Sequence, residues 1–199
     1  EEKIVHGEMN SAMAQFPHIL LIDDQLSNLI ALEQTLSAID VVIHKAVSGE
    51  SALGMLLDET IDCILVDVSM PRMDGFEFLQ TLRADSELQH IPVVMITGKI
   101  FSANEVMRAY QCGAFDFLTK PIDGALLCRK VNYLAATALH YRQIQSLKGT
   151  LNGLARELIM PLELGLQQQT LDPALRTSVE QALYAAQELQ REWDALNNA

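Results

Sequence analysis

Basic residues are scarce in this chain. Its 199 residues hold 14 Lys and Arg against 26 Asp and Glu, a formal net charge of -12. Attraction to nucleic-acid phosphates needs the opposite sign, so the composition argues against a nucleic-acid partner. Residues 1–137 carry 9 basic and 19 acidic side chains and residues 138–199 carry 5 and 7, with no basic stripe in the second segment. Cysteine is also sparse. Cys63, Cys112 and Cys128 lack paired or metal-like spacing, which excludes a disulfide framework or zinc motif and leaves reduced, buried thiols as the expectation. No apolar run approaches the ~20 residues a helix needs to cross a bilayer, and no signal-peptide pattern heads the chain. A soluble, cytoplasmic protein with no membrane partner is expected. An initiator Met is absent, and residues 1–16 read as a linker or extension.

What is present is a set of short apolar segments, each leading into a polar residue of a particular kind. They are Leu20-Leu21-Ile22-Asp23-Asp24, Ile64-Leu65-Val66-Asp67, Val93-Val94-Met95-Ile96-Thr97 and Phe117-Leu118-Thr119-Lys120-Pro121. Runs rich in Val, Ile and Leu, bounded by turn residues, predict strands buried on both faces. Amphipathic stretches alternate with them at Ser27–Ser37, Gly49–Leu57, Gly75–Ala84, Ala103–Cys112 and from Asp123 onward, and Val41–Ala46 supplies another strand. Five βα units follow, an α/β fold with a parallel sheet. In such sheets ligands bind outside the carboxyl ends of the strands, so three carboxylates, a hydroxyl and an ammonium are expected in one crevice. Ser102-Ala103-Asn104-Glu105 has capping-box spacing, and Asp123 stands at a helix entry. Taken singly, Lys120 reads as a surface lysine and Asp24 as a helix cap; the four strand ends together point to a site.

With Asp67-Val68-Ser69-Met70-Pro71-Arg72-Met73-Asp74-Gly75 after the third of these strands, residues 17–137 resemble the receiver domain of two-component response regulators. The resemblance implies a flavodoxin-like (βα)5 doubly wound sheet of order 2-1-3-4-5. It implies Asp67 as phosphoacceptor and a divalent cation, Mg²⁺ or Mn²⁺, held by Asp23, Asp24, Asp67 and the Ser69 backbone carbonyl. Thr97 and Lys120 match the family's hydroxyl and lysine, Phe117 its aromatic switch, and a cis Lys120–Pro121 bond is implied. A sensor histidine kinase or phosphotransfer protein would be the phosphoryl source.

The helical pattern continues past Thr137. Ile144, Leu147, Leu151, Leu154 and Leu158 are spaced by 3, 4, 3 and 4 residues, a coiled-coil-like seam. Thr170-Leu171-Asp172-Pro173 breaks it, and a second helix is expected from about Pro173 to Asn197. Residues 138–199 thus predict an antiparallel helical hairpin, which would bury its apolar faces as a four-helix bundle in a homodimer. Ala155-Arg156-Glu157-Leu158-Ile159-Met160-Pro161-Leu162 resembles the phosphorylation motif of sensor histidine kinases, with Arg156 at the position of the phosphorylatable histidine. Arginine stays protonated and has no lone pair for attack, so the motif is degenerate. Gln145-Ser146-Leu147-Lys148-Gly149 is a weaker likeness to phosphotransfer domains, also without its histidine, and His140 reads as a solvated or packing residue. With no Gly-rich ATP cradle, the expectation is a signalling adaptor acting on a downstream protein partner and not an enzyme. The alternative is a fragment of a larger hybrid kinase-like or phosphatase-like protein. A third reading gives Glu157 a part in dephosphorylating a partner.

Overall fold

A computed structural model describes residues 16–98, 103–167 and 172–197; for several tail residues only the backbone is described. The elements are β1 (His18–Ile22), α1 (Leu26–Leu36), β2 (Val42–Ala46), α2 (Gly49–Asp58), β3 (Cys63–Asp67), α3 (Gly75–Ala84), β4 (Val93–Thr97), α4 (Ala103–Gln111), β5 (Asp116–Thr119), α5 (Gly124–Gln167) and α6 (Pro173–Asn197). All strand pairings are parallel and the sheet order is β2-β1-β3-β4-β5. The expected doubly wound topology is therefore observed.

Strand side chains alternate between faces, and the core divides accordingly. Leu20, Ile22, Ile64, Val66, Val93 and Met95 pack on one face with Ala52 and Leu56 of α2, Phe78, Leu79 and Leu82 of α3, and Ala109 of α4. Ile19, Leu21, Cys63, Leu65, Val94 and Ile96 pack on the other with Leu29, Leu32 and Leu36 of α1 and Leu127, Val131 and Leu134 of α5. A sheet covered on both sides explains why its strands are continuous apolar runs. Of the three free cysteines only Cys63 is buried. Cys112 and Cys128 are half-buried, a departure from the expectation of three buried thiols. Cys112 lies one residue beyond α4, and Cys128 is on the part of α5 that covers the sheet, its Sγ 3.3 Å from the carbonyl of Thr35.

Helix starts follow local chemistry. Asp74 accepts from the backbone N–H groups of Phe76 and Glu77 while Glu77 receives the Asp74 N–H, a complete capping box. Ser48 and Ser51 form a second at α2. Asp123 accepts from Ala125 and Leu126 at the entry to α5, as its position suggested. The capping box expected at Ser102 lies outside the described residues, as do residues 1–15 and most of the break around Thr170.

The chain separates into two compact units, one extending to Arg142 and one from Gln143 onward. In the second, the helix begun in the receiver-like unit runs on to Gln167, and α6 follows from Pro173. Pro161 lies inside α5. Among the described residues, no helix is long and apolar enough to cross a membrane.

Candidate functional site

β1, β3, β4 and β5 are consecutive neighbours in space, so the residues at their carboxyl ends line one edge of the sheet. Asp67 ends β3 opposite Ile96, Thr97 ends β4 opposite Thr119, and Asp23 and Lys120 directly follow β1 and β5. Backbone hydrogen bonds carry the sheet into these loops. Val68 N–H donates to Ile96 O at 2.8 Å and Lys120 N–H to Thr97 O at 2.7 Å. The Lys120–Pro121 bond is cis, as the resemblance implied.

Asp23, Asp67 and Thr97 are buried, at 1%, 6% and 1% exposure. Two buried carboxylates would repel and lose hydration unless a cation lay between them. Lys120 meets that need: its Nζ is 2.6 Å from Asp67 Oδ1 and 3.0 Å from Asp23 Oδ2. Burial works against the charged ammonium, but the hydrogen bonds to Asp67 and Asp23 outweigh it and raise its pKa. Asp67 Oδ2 accepts from Ser69 N–H at 2.7 Å.

The loop beyond Asp67 is held close by Gly75, whose N–H donates to Val68 O at 3.0 Å. A Cβ at Gly75 would lie 2.6 Å from the Asp67 carbonyl oxygen and 2.9 Å from Val68 Cα. Only glycine permits this approach. Arg72, at the turn of the same loop, has φ 69°, a conformation that costs a non-glycine residue energy. Its guanidinium Nε lies 3.4 Å from Glu50 at the start of α2. Arg108 of α4 stacks over the Phe76 ring at 4.5 Å, tying α4 to the first turn of α3.

Of the sequence-expected residues, the structure joins Asp23, Asp67 and Lys120 directly and sets Thr97 on the adjacent strand end. Phe117 is half-buried, with its ring edge-on to Tyr110 at 6.1 Å between centroids. Asp24 is exposed, and among the described residues no three His, Cys, Asp or Glu side chains form a ready metal-ligand group. The chemistry of the pair nevertheless fits a hard cation. Two buried carboxylates present oxygens to one point, and an ammonium already occupies it. Arg156 lies within α5, but its side chain is outside the description.

Sequence reading missed Asn28. Its Nδ2 donates to both oxygens of Asp23, at 2.9 and 3.0 Å, and Gln25 N–H donates to Asp23 Oδ1 at 2.9 Å. The available signal was an amide side chain in the first turn of the helix that follows the acidic pair. It also missed a polar cluster at the opposite end of the strands. There, Asp62 pairs with Arg142, His18 with His44, and the His90 ring lies tilted against Tyr141.

Comparison with known proteins converges on one family. The model of the response regulator receiver domain matches residues 19–132. Response regulator PleD of Caulobacter vibrioides is 40% identical over 116 residues, 58% of this chain but 25% of that protein. The chain therefore spans only about a quarter of that relative. Protein PilH of Pseudomonas aeruginosa is 32% identical over 118 residues, 59% of this chain and 97% of PilH. Among solved structures, chemotaxis protein CheY4 of Vibrio cholerae superposes with a TM-score of 0.56 at 28% identity, covering 60% of this chain and 98% of CheY4. The receiver domain of a signal transduction histidine kinase from Syntrophus aciditrophicus gives 0.56 at 30% identity, covering 61% and 91%.

Proposed function

Because the chain belongs to the response regulator receiver domain family, which serves two-component signalling, we propose that it accepts a phosphoryl group on Asp67 and passes the resulting change to its helical tail. The observation that carries this reading is the Lys120 ammonium bridging Asp67 and Asp23 at 2.6 and 3.0 Å. It sets the buried Asp67 carboxylate against an ammonium able to donate to a phosphoryl oxygen.

Receiver domains take their phosphoryl groups from sensor histidine kinases or phosphotransfer proteins and bind Mg²⁺ at the acidic pocket. Here Asp23 and Asp67, with Asp24 and the Ser69 carbonyl completing the set, would hold the ion, which when bound neutralises charge on the carboxylates and the phosphoryl group. An Asp67 carboxylate oxygen attacks phosphorus. The P–N bond of a phosphohistidine breaks, its electron pair leaves with the imidazole, and an acyl phosphate remains on Asp67. Lys120 shifts its hydrogen bond to a phosphoryl oxygen, and the Thr97 hydroxyl donates to another. Movement of Thr97 vacates space toward which Phe117 turns, remodelling the surface of α4 and β5.

α5 covers the sheet through Leu127, Val131 and Leu134 and continues into the second unit, so it is the element able to carry that change to the tail. The tail is read as a dimerising, kinase-like hairpin without its phosphorylatable histidine, acting as an adaptor toward a protein partner and not as an enzyme. Incubation with Mg²⁺ and a small acyl phosphate is expected to give one phosphoryl adduct by intact mass, absent in Asp67→Asn. Light scattering of the same samples, with beryllofluoride as the stable mimic, should report a changed association state. Labelling that persists in Asp67→Asn would overturn the site, whereas labelling without a change in association state would overturn only the coupling.

A further inference from the structure

We propose that the cavity at the end of the sheet remote from Asp67 binds a small aromatic carboxylate, whose acid group meets Arg83 and whose ring packs among Phe115, Tyr133 and Tyr141. The site is independent of the phosphoacceptor, because it lies where β4 and β5 begin and Asp67 lies where the strands end.

Pro92, Ala114 and Phe115 line the cavity from the strand side and Tyr133, Leu134 and Tyr141 from the first half of α5, enclosing about 550 Å³. Small-molecule sites measure roughly 300–1,000 Å³ and are mostly apolar, with a few placed polar groups. Phe115, Tyr133 and Tyr141 are 55%, 70% and 44% exposed. Aromatic rings left open around one concavity gain by being covered with a flat apolar group, which sets the body of the ligand.

Charge sets its head. Although the chain carries a net charge of -12, no Asp or Glu among the described residues lines the cavity, and its one permanent charge is Arg83 of α3. That half-buried guanidinium donates only to carbonyl oxygens: Nε and Nη2 to Gly113 O at 3.1 and 2.8 Å, and Nη1 to Gln89 O and Ile91 O at 3.0 Å each. A guanidinium has five N–H donors and stays charged, so one N–H of Nη2 has no partner among the described residues. Burial lowers the Arg83 pKa and no neighbouring charge opposes it. A cation so placed is costly until an anion joins it. One remaining N–H suits a monoanionic carboxylate better than a phosphate, which brings more charge and more acceptors. The anchor is also fixed in advance. Gly113 has φ 91°, and a Cβ there would lie 2.8 Å from Arg83 Nε and 3.1 Å from its Cδ. Glycine lets the arginine lie against the backbone, where three carbonyls hold it, so little side-chain freedom is lost when a ligand arrives.

The test is an NMR titration of the full chain with 2-naphthoate and with its neutral analogue 2-naphthylmethanol, following the amides of residues 89–91 and 113–115. Naphthoate is expected to shift them saturably, and the alcohol to bind about tenfold more weakly or worse, as for the loss of a hydrogen bond to a charged group. Arg83→Gln should abolish the preference for the acid. Tyr133→Ala, at a position exposed enough to leave the fold intact, should weaken both ligands several-fold while the preference stays, and it serves if the Arg83 variant fails to fold. An alcohol that binds wild type as tightly as the acid overturns the anionic class, as does a preference that survives in folded Arg83→Gln. Affinities unchanged in Tyr133→Ala, or a wild-type protein whose amides in these segments respond to neither compound, overturn the site itself.

Discussion

At the scale of single residues, the site is an arrangement of opposite charges whose cost of burial is met by pairing. Lys120 illustrates how that pairing responds to pH. Its pKa is lowered by burial and raised more strongly by its hydrogen bonds to Asp67 and Asp23. A lysine whose folded pKa lies above its unfolded value of ~10.4 contributes stability in full below that value, and loses it as pH rises through the folded pKa. Lys120→Met is therefore expected to lower stability by roughly 1.5–3 kcal/mol, the range for hydrogen bonds to charged groups. The difference from wild type should be flat across neutral pH and shrink in strong alkali, as measured by urea midpoints. A difference that instead grew with alkaline pH would mean that another group dominates. Asp23, Asp67 and Lys120 were legible in the sequence because each stands at the end of an apolar strand, where the fold dictates direction. Asn28 was not, because its role depends on the rotamer of a helical side chain, and helical spacing alone does not report which atom an amide meets.

At the scale of elements, the order of strands and helices followed from hydrophobic period and turn residues, and most boundaries lie within a residue of those expected. The local contacts that shape the site were less visible. Gly75 looks like one more turn glycine in sequence, yet it opens α3 directly against the backbone of Asp67 and Val68. Its neighbour Asp74 caps the helix, so the loop after Asp67 is anchored at a fixed helix start. A methyl group at residue 75 cannot be accommodated by rotating a side chain, because the atoms it meets are backbone. Gly75→Ala is expected to cost about 1–3 kcal/mol, as for overpacking, and to slow phosphoryl uptake at Asp67 by moving its carboxylate relative to Lys120. Denaturation and the rate of adduct formation check the two effects separately. Full stability with slowed uptake would locate the strain in the loop, and unchanged values of both would refute the close approach.

At the scale of the whole molecule, the resemblance to receivers ends near Thr137 while helical periodicity runs on, and the first compact unit extends to Arg142. The sequence could not disclose what ties this part of the helix to the sheet end, a pairing between residues remote along the chain. Asp62, just before β3, is 2% exposed, accepts the His18 N–H at 2.8 Å and pairs with Arg142 Nη1 at 3.2 Å. Burial raises the Asp62 pKa, with partial relief from the His18 N–H and from the charges of Arg142, His18 and His90. Nearby His44 has its pKa lowered by burial and by His18, against a smaller upward pull from Glu59. A carboxyl with a raised folded pKa subtracts stability where it is charged, and the loss is recovered as pH falls through that folded pKa. Removing Arg142 deletes a favourable charge and raises the pKa further. Arg142→Met is therefore expected to cost roughly 1–3 kcal/mol at neutral pH, below the range for breaking a fully buried pair because the arginine side chain remains 25% exposed. The cost should diminish on acidification from neutral toward the ordinary carboxylate range, as Asp62 takes up a proton and no longer needs its partner. Adding Asp62→Asn should leave little further loss, since the two residues act as one pair. A penalty independent of pH would assign Arg142 to helix packing, and one that diminishes would make the Asp62 pair the anchor of α5 at the limit of the receiver.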